Sequence, residues 1–129
     1  MKITGNKAVE VIAKRIRDNF PTFDVVEYER TEKQKGDYIA VNFLTYNLQQ
    51  EIGNIICNIN VHAKDKMSGE INSTQIWSMA NKVQTLFNDA VYLDGNWYSI
   101  YSISGIAKDE DKTHYVNIRI EVIFDNIKD

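Results

Sequence analysis

Cysteine, proline and long apolar runs are scarce in this sequence of 129 residues, which contains one cysteine and one proline. A single cysteine cannot form an internal disulfide, and the charged residues within the first apolar pattern are unlike the apolar stretch of a signal peptide. We therefore expect a protein that is made and kept in a reducing cytoplasm. No segment approaches the roughly 20 consecutive apolar residues that span a bilayer, so we expect no membrane-spanning helix.

Positive charge is also limited. Lysine and arginine number 15 against 18 aspartates and glutamates, which gives a formal net charge of -3. A broad phosphate-binding surface needs clustered lysine and arginine with little opposing charge, so we expect no binding to free nucleic acid. A hydrophobic fraction of 43% with 26% charged residues is that of a globular protein. At this length we predict one domain over residues 1–129.

Familiar catalytic and metal-binding motifs are missing as well. The chain has no G-x-S-x-G, no P-loop, no H-E-x-x-H and no paired C-x-x-C. The acidic triplet Asp109, Glu110 and Asp111 lacks the ligand spacing of an EF-hand, and we interpret it as a solvated turn. Neither His62 nor His114 has a triad-like neighbour in the sequence, although proximity in space stays open. These observations predict a protein that is not an enzyme and holds no metal or cofactor.

Two segments show helical periodicity. The first runs from Asn6 to Phe20 and is followed by Pro21. The second begins at Ser73, because Asn72 can act as its N-cap with a glutamine three residues later. Its apolar stripe extends over about five turns and predicts core packing. The stripe consists of Ile76, Met79, Ala80, Val83, Phe87 and Ala90.

The remaining patterns alternate between apolar and polar residues and predict strands. The segments "FDVVEYE" and "YIAVNF", separated by "RTEKQKGD", predict a β-hairpin, and Asp94-Gly95 predicts a tight two-residue hairpin turn. The segment "HYVNIRIEVIF" alternates without interruption. Together with the two helices, these patterns predict an α+β fold, a mostly antiparallel sheet with both amphipathic helices packed on one face.

The segment "ICNINVHAKDK", Ile56 to Lys66, brings a cysteine and a histidine close together in sequence. Cys57 and His62 are five residues apart, and an odd separation in a regular strand puts two side chains on opposite faces. A Cys/His pair is therefore excluded unless a bulge intervenes. We predict that Cys57 is a small buried hydrophobe and that His62 is an exposed or strand-end polar residue.

The last two strands predict an aromatic face opposite the core. If the turn between these two strands has its tip at Asp109 to Asp111, Ile100 pairs near Ile120 and Tyr98 pairs near Val122. These pairs form a continuous apolar face. The other face then carries Trp97, Tyr101, Ile103, Tyr115, Asn117, Arg119, Glu121 and Ile123. This composition is typical of a protein interface, although a second sheet face half covered by loops would look the same. The candidate oligomer-interface residues are Trp97, Tyr101, Tyr115 and Arg119.

Several short motifs, taken in their order along the chain, resemble those of a known family. They are Asn58 to Asp65, then Ser68-Gly69, the helix that opens at Asn72 and a terminal strand from Tyr115 to Phe124. The chain resembles the tail terminator, or tail-completion, proteins of long-tailed bacteriophages, which are minor tail proteins that join head and tail. In that family a comparable long strand runs into a connecting loop and a helix that packs across the sheet.

The resemblance implies a non-catalytic structural subunit of a phage or prophage tail. The implied partners are the chain itself, in a homo-oligomeric ring commonly of six subunits, and the tail tube and head connector proteins. It implies no sequence-specific nucleic acid, no membrane, no cofactor and a location in the virion tail. Independently, strands of ten to twelve residues span roughly 34–41 Å and can overhang a compact domain, which leaves an edge for a neighbouring chain.

Two other functional classes stay open at this stage. A small α+β protein- or ligand-binding module of bacterial origin predicts a sizeable apolar pocket between the helices and the sheet. An enzyme would need a cleft that brings His62 or His114 against a carboxylate.

Overall fold

The computed structural model describes residues 3–28, 36–48, 52–109 and 113–125. Within these ranges the chain forms two helices and six strands. The elements are α1 Gly5–Asn19, β1 Val25–Glu27, β2 Tyr38–Leu48, β3 Ile52–Lys64, α2 Ser73–Thr85, β4 Val91–Leu93, β5 Asn96–Lys108 and β6 Thr113–Asp125.

The strands form one sheet in the order β1-β2-β3-β6-β5-β4. Strands β2, β3, β6 and β5 are long and pair antiparallel, and the two outermost strands have three residues each. Helix α1 contacts β1, β2 and β3, while α2 contacts β3 and β6. Both helices pack on one face, here called the inner face. The predicted α+β fold is confirmed.

The inner face carries the core because its residues alternate along the long strands. From Ile55 to Ala63 every second residue of β3 is fully buried, and Val116 to Phe124 repeat the pattern on β6. The helices contribute their apolar stripes to the same cluster. Phe87, which follows the end of α2, is also fully buried in this cluster.

Helix α2 begins where the sequence predicts and ends earlier. Asn72 is the N-cap, and its side-chain oxygen accepts a hydrogen bond from the backbone N–H of Gln75 at 3.3 Å. The helix stops at Thr85, so the predicted length of about five turns is wrong, and Ala90 is exposed. The chain turns at Leu86, which lets Phe87 reach the core without further helix.

The first two strands do not form the predicted hairpin. β1 pairs with β2 in parallel, with Val25 opposite Ile39 and Glu27 opposite Val41. The predicted hairpin is therefore wrong, because the strands of a hairpin pair antiparallel and a parallel pair needs a crossover connection. Most of the predicted turn "RTEKQKGD" lies outside the described residues.

The two predicted turns in the last third have different outcomes. Asp94 and Gly95 both have positive φ angles, 50° and 86°, which confirms the tight hairpin between β4 and β5. Between β5 and β6, Ile100 lies opposite Ile120 as predicted. The predicted tip of this second turn includes Glu110 and Asp111, which lie outside the described residues.

Strand β5 has two bulges, and these change the predicted faces. The register shifts by one residue between Ile100 and Ser102 and again between Ile103 and Ile106. As a result Ile103 lies opposite Ile118 on the inner face, and its predicted place on the other face is wrong. Strict alternation fails here because each extra residue in a bulge reverses the alternation beyond it.

None of the helices in the described ranges is long and apolar enough to cross a membrane.

Candidate functional site

The face of the sheet away from the helices, here called the outer face, carries a row of asparagines. Asn58 donates to the side-chain oxygen of Asn42 at 2.9 Å. Asn117 donates to Asn58 at 3.1 Å and to Asn60 at 2.8 Å. These four residues are half-buried and lie on β2, β3 and β6. The network joins three long strands through side chains as well as backbone.

An aromatic corner lies at one end of the outer face. It consists of Tyr92 on β4, Trp97 on β5 and Ile123 on β6. Trp97 lies on the middle strand, directly opposite Tyr92 on one side and Ile123 on the other. The rings of Tyr92 and Trp97 meet edge to face with centroids 5.1 Å apart. All three side chains remain substantially exposed, at 59%, 50% and 40%. Clustered apolar exposure of this kind is typical of a binding surface.

The four predicted interface residues do not form one patch. Trp97 belongs to the aromatic corner, and Tyr101 is the extra residue of the first β5 bulge, 59% exposed. Tyr115 is half-buried at the opposite end of β6. Arg119 is half-buried too, and its Nε atom has no hydrogen-bond partner among the described residues. Trp97 and Tyr101 are therefore the accessible members of the predicted set.

His62 is buried, so the predicted exposed position is wrong, although the residue does lie near the end of β3. Its ring is sandwiched between Tyr38, with centroids 4.2 Å apart, and Tyr115, with centroids 5.0 Å apart. Its Nδ1 atom lies 3.4 Å from Oδ2 of Asp109. The three rings come from neighbouring strands at one row of the sheet, where Tyr38, His62 and Tyr115 are direct partners. Cross-strand stacking buries this histidine, and alternation alone does not reveal it.

The second histidine also has a carboxylate partner. Nδ1 of His114 lies 2.6 Å from Oδ1 of Asp65, and both side chains are largely buried. The pair joins the start of β6 to the segment after β3, because Ala63 lies opposite His114. Each histidine therefore contacts an aspartate, and the two pairs lie at the same end of the sheet. Neither pair has a local sequence signal, because the two members of each pair are far apart along the chain.

Cys57 behaves as predicted. It is fully buried on the inner face, opposite Phe43 and Ile120, and burial raises the pKa of its thiol to about 12. His62 lies five residues further along β3 on the outer face, so the excluded Cys/His pair is absent. Within the described ranges, no group of three or more histidine, cysteine, aspartate or glutamate residues could hold a metal ion.

A groove of about 430 Å³ runs between α1 and the β4–β5 turn. Five of its eight lining residues are charged, namely Lys7, Lys14, Arg15 and Asp18 on the helix and Asp94 at the turn, whereas Val11 and Leu93 add apolar surface. Lys14 and Asp18 already pair with each other at 2.5 Å. The groove is thus an open surface depression with a mixed charged and apolar lining, and it differs from the sizeable apolar pocket that a ligand-binding module predicts.

No family model matches this chain, and no curated protein matches it. Among solved structures, a protein whose name states no function has the same fold. The match has a TM-score of 0.62 at 14% sequence identity, and it covers 96% of this chain and 95% of the other. A similarity at this level of identity supports the fold alone.

Proposed function

We propose that this protein is a non-catalytic structural subunit of a phage or prophage tail, which assembles into a ring that caps the tail tube and joins it to the head connector. The observation that carries the proposal is the pattern of apolar exposure along the sheet. Three aromatic side chains on the neighbouring strands β4 and β5 are at least half exposed. They are Tyr92, Trp97 and Tyr101. Contact between subunits would remove this surface from water.

The order of elements supports the same proposal. The long strand β3 leads through a short connection into α2, and α2 packs back across β3 and β6. The resemblance to tail terminators rests on this arrangement together with a terminal strand, here β6. In such a ring each subunit contacts its two neighbours through different surfaces, because only head-to-tail contacts close a ring.

The alternative is a small protein- or ligand-binding module. The groove between α1 and the β4–β5 turn favours it, since a volume of about 430 Å³ falls within the range of small-molecule sites. Against it, the lining side chains are mostly charged and partly paired with one another. The groove is also open to solvent, so we prefer the ring subunit.

Deletion of the gene in the phage or prophage that encodes this chain tests the proposal. Electron micrographs of the deletion strain should show separate heads and tails, with few joined virions. A plasmid copy of the wild-type gene should restore joined virions, and so should the control Met67→Asp, whose side chain is fully exposed before α2. The variant Tyr101→Asp should not restore them. Normal virions in the deletion strain would contradict the proposal.

A further inference from the structure

The outer face carries an arginine whose charge is unmatched in the single chain. Arg119 lies on β6 between Asn58 of β3 and Ser102 of β5. Its Nε atom is enclosed and has no hydrogen-bond partner, and no described residue forms an ion pair or hydrogen bond with the rest of the guanidinium. The carboxylate two residues along the same strand, Glu121, instead accepts a hydrogen bond from Nδ2 of Asn54 at 2.9 Å.

An enclosed donor without an acceptor costs free energy, and the cost is larger when the group is charged. The cross-strand neighbours of Arg119 are neutral, so they do not offset its charge. A guanidinium is planar and binds a carboxylate through two parallel hydrogen bonds. The position therefore fits a carboxylate that comes from outside the single chain.

The surroundings of Arg119 suit a protein partner better than a small anion. Tyr101, which is 59% exposed, precedes Ser102 in the first bulge of β5 and so lies beside Arg119. Tyrosine and arginine are among the residues most enriched at the energetic centres of protein interfaces. A small anion would leave Tyr101 in water, whereas a protein surface that covers Tyr101 can also place a carboxylate on Arg119.

A second copy of this chain can supply that carboxylate. The net charge of -3 means that acidic groups outnumber basic ones. Among the exposed carboxylates of the described residues, Glu10 and Asp18 pair with Lys7 and Lys14. The exposed carboxylates without such a partner in the described ranges are Asp24, Glu70, Asp89 and Asp94.

Their places in the fold separate these four carboxylates. Asp89 and Asp94 flank β4, on the same side of the sheet as Arg119, and Glu70 lies in the connection between β3 and α2. Asp24 directly precedes β1, at the opposite edge of the sheet. A head-to-tail contact joins two different sides of the subunit. Asp24 is therefore the carboxylate on the side that the ring brings to Arg119 of the next copy.

The segment before Asp24 adds apolar surface next to its carboxylate. The backbone N–H of Phe23 donates to the oxygen of Phe20 at 3.0 Å, which closes a turn with Pro21 exposed in it. The rings of Phe20 and Phe23 stack with centroids 5.1 Å apart. An exposed proline beside a carboxylate complements an exposed tyrosine beside a guanidinium.

We propose that the carboxylate of Asp24 in one copy binds the guanidinium of Arg119 in the next copy, while Pro21 packs on Tyr101. The inference rests on the proposed ring and names the polar anchor of its subunit contact. The pair cannot form within one copy, because β1 and β6 are three strands apart, or about 14 Å. The contact uses side chains alone and needs no strand pairing between copies.

The variant Arg119→Met separates a role in assembly from a role in the fold. It keeps a long side chain but removes the charge, so it should stay monomeric at a concentration at which the wild type assembles. Its unfolding midpoint, compared at a concentration at which both proteins are monomeric, should not fall, because the enclosed Nε loses no partner. The matched control is Arg15→Met, since Nε of Arg15 donates to the backbone oxygen of Leu86 at 3.1 Å. That variant should have a lower midpoint and should still assemble.

A charge exchange tests the partner directly. Arg119→Glu and Asp24→Arg should each be monomeric in light scattering after size exclusion. The double variant Arg119→Glu/Asp24→Arg should assemble, because each contact then holds the same pair with its charges exchanged. The control double variant Arg119→Glu/Glu70→Arg should stay monomeric.

The outcomes separate this inference from the proposed function. Assembly of Arg119→Met like the wild type, a lowered midpoint in that variant, or a charge exchange that restores nothing would overturn the Asp24–Arg119 contact and leave the ring in place. Equal assembly of the two double variants would overturn it as well. Restoration by the Asp24 exchange alone, but into open chains instead of closed rings, would support the contact and contradict the proposed function. A wild type that is monomeric at every concentration would overturn both.

Discussion

Nδ1 of His114 lies 2.6 Å from Oδ1 of Asp65, although 49 positions separate the two residues in the chain. The side chains are only 12% and 14% exposed. The contact ties the start of β6 to the segment after β3. A charge-assisted hydrogen bond with little exposure contributes more to stability than a surface ion pair does.

A double-mutant cycle on this pair measures that contribution. Asp65→Ala, His114→Ala and the double variant should give a coupling free energy of about 1.5 kcal/mol or more in chemical denaturation at neutral pH. The matched control is the cycle on Lys14 and Asp18, whose side chains are 74% and 59% exposed. That pair should couple by about 0.5 kcal/mol or less. Equal coupling in the two cycles would mean that burial adds nothing to the His114–Asp65 contact.

Replacement of Cys57 tests its role as a small core side chain. Cys57→Ala should lower the free energy of unfolding by about 1 kcal/mol, because it leaves a small cavity on the inner face. Metal content should not change between the two proteins. Recovery of stoichiometric zinc from the wild type, and its loss from the variant, would contradict this interpretation.

The raised thiol pKa gives a separate expectation for Cys57. Burial disfavours the thiolate, so with a pKa of about 12 the folded protein should react very slowly with thiol reagents at pH 8. Reactivity should appear on unfolding in denaturant, where the pKa returns to its ordinary value. Rapid labelling of the native protein at pH 8 would show that the side chain is accessible.

The N-cap of α2 can be removed without touching the core. Asn72→Ala should destabilise the protein by about 1 kcal/mol, because the backbone N–H of Gln75 loses its acceptor. Ser73→Ala, one residue later and exposed, should have little effect. An unchanged melting temperature in Asn72→Ala would mean that the cap contributes nothing to the helix.

Local signals in the sequence determine much of this fold. Alternation identified the inner-face residues of β3 and β6, because one buried face imposes a period of two. The turn at Asp94-Gly95 and the cap at Asn72 were also predictable, since each depends on the chemistry of one or two residues.

Features that depend on distant residues were not predictable. The parallel pairing of β1 depends on the course of the chain between Glu27 and Tyr38, and composition does not encode that course. The second bulge of β5 had a signal in Gly105, because an isolated glycine inside a strand often marks a bulge. The first bulge, at Tyr101, contains no glycine, and strict alternation across it placed Ile103 on the wrong face. The stack around His62 joins three strands and has no local signature.

Self-assembly is the central claim, and light scattering after size exclusion measures it most directly on the purified protein. The wild type should elute as a closed oligomer of uniform mass, at least at high concentration. Tyr101→Asp should shift the population toward folded monomer, because it places a charge at the contact while the side chain is 59% exposed in the single chain. Met67→Asp should assemble like the wild type. A wild type that is monomeric at every concentration, and indistinguishable from Tyr101→Asp, would contradict the claim.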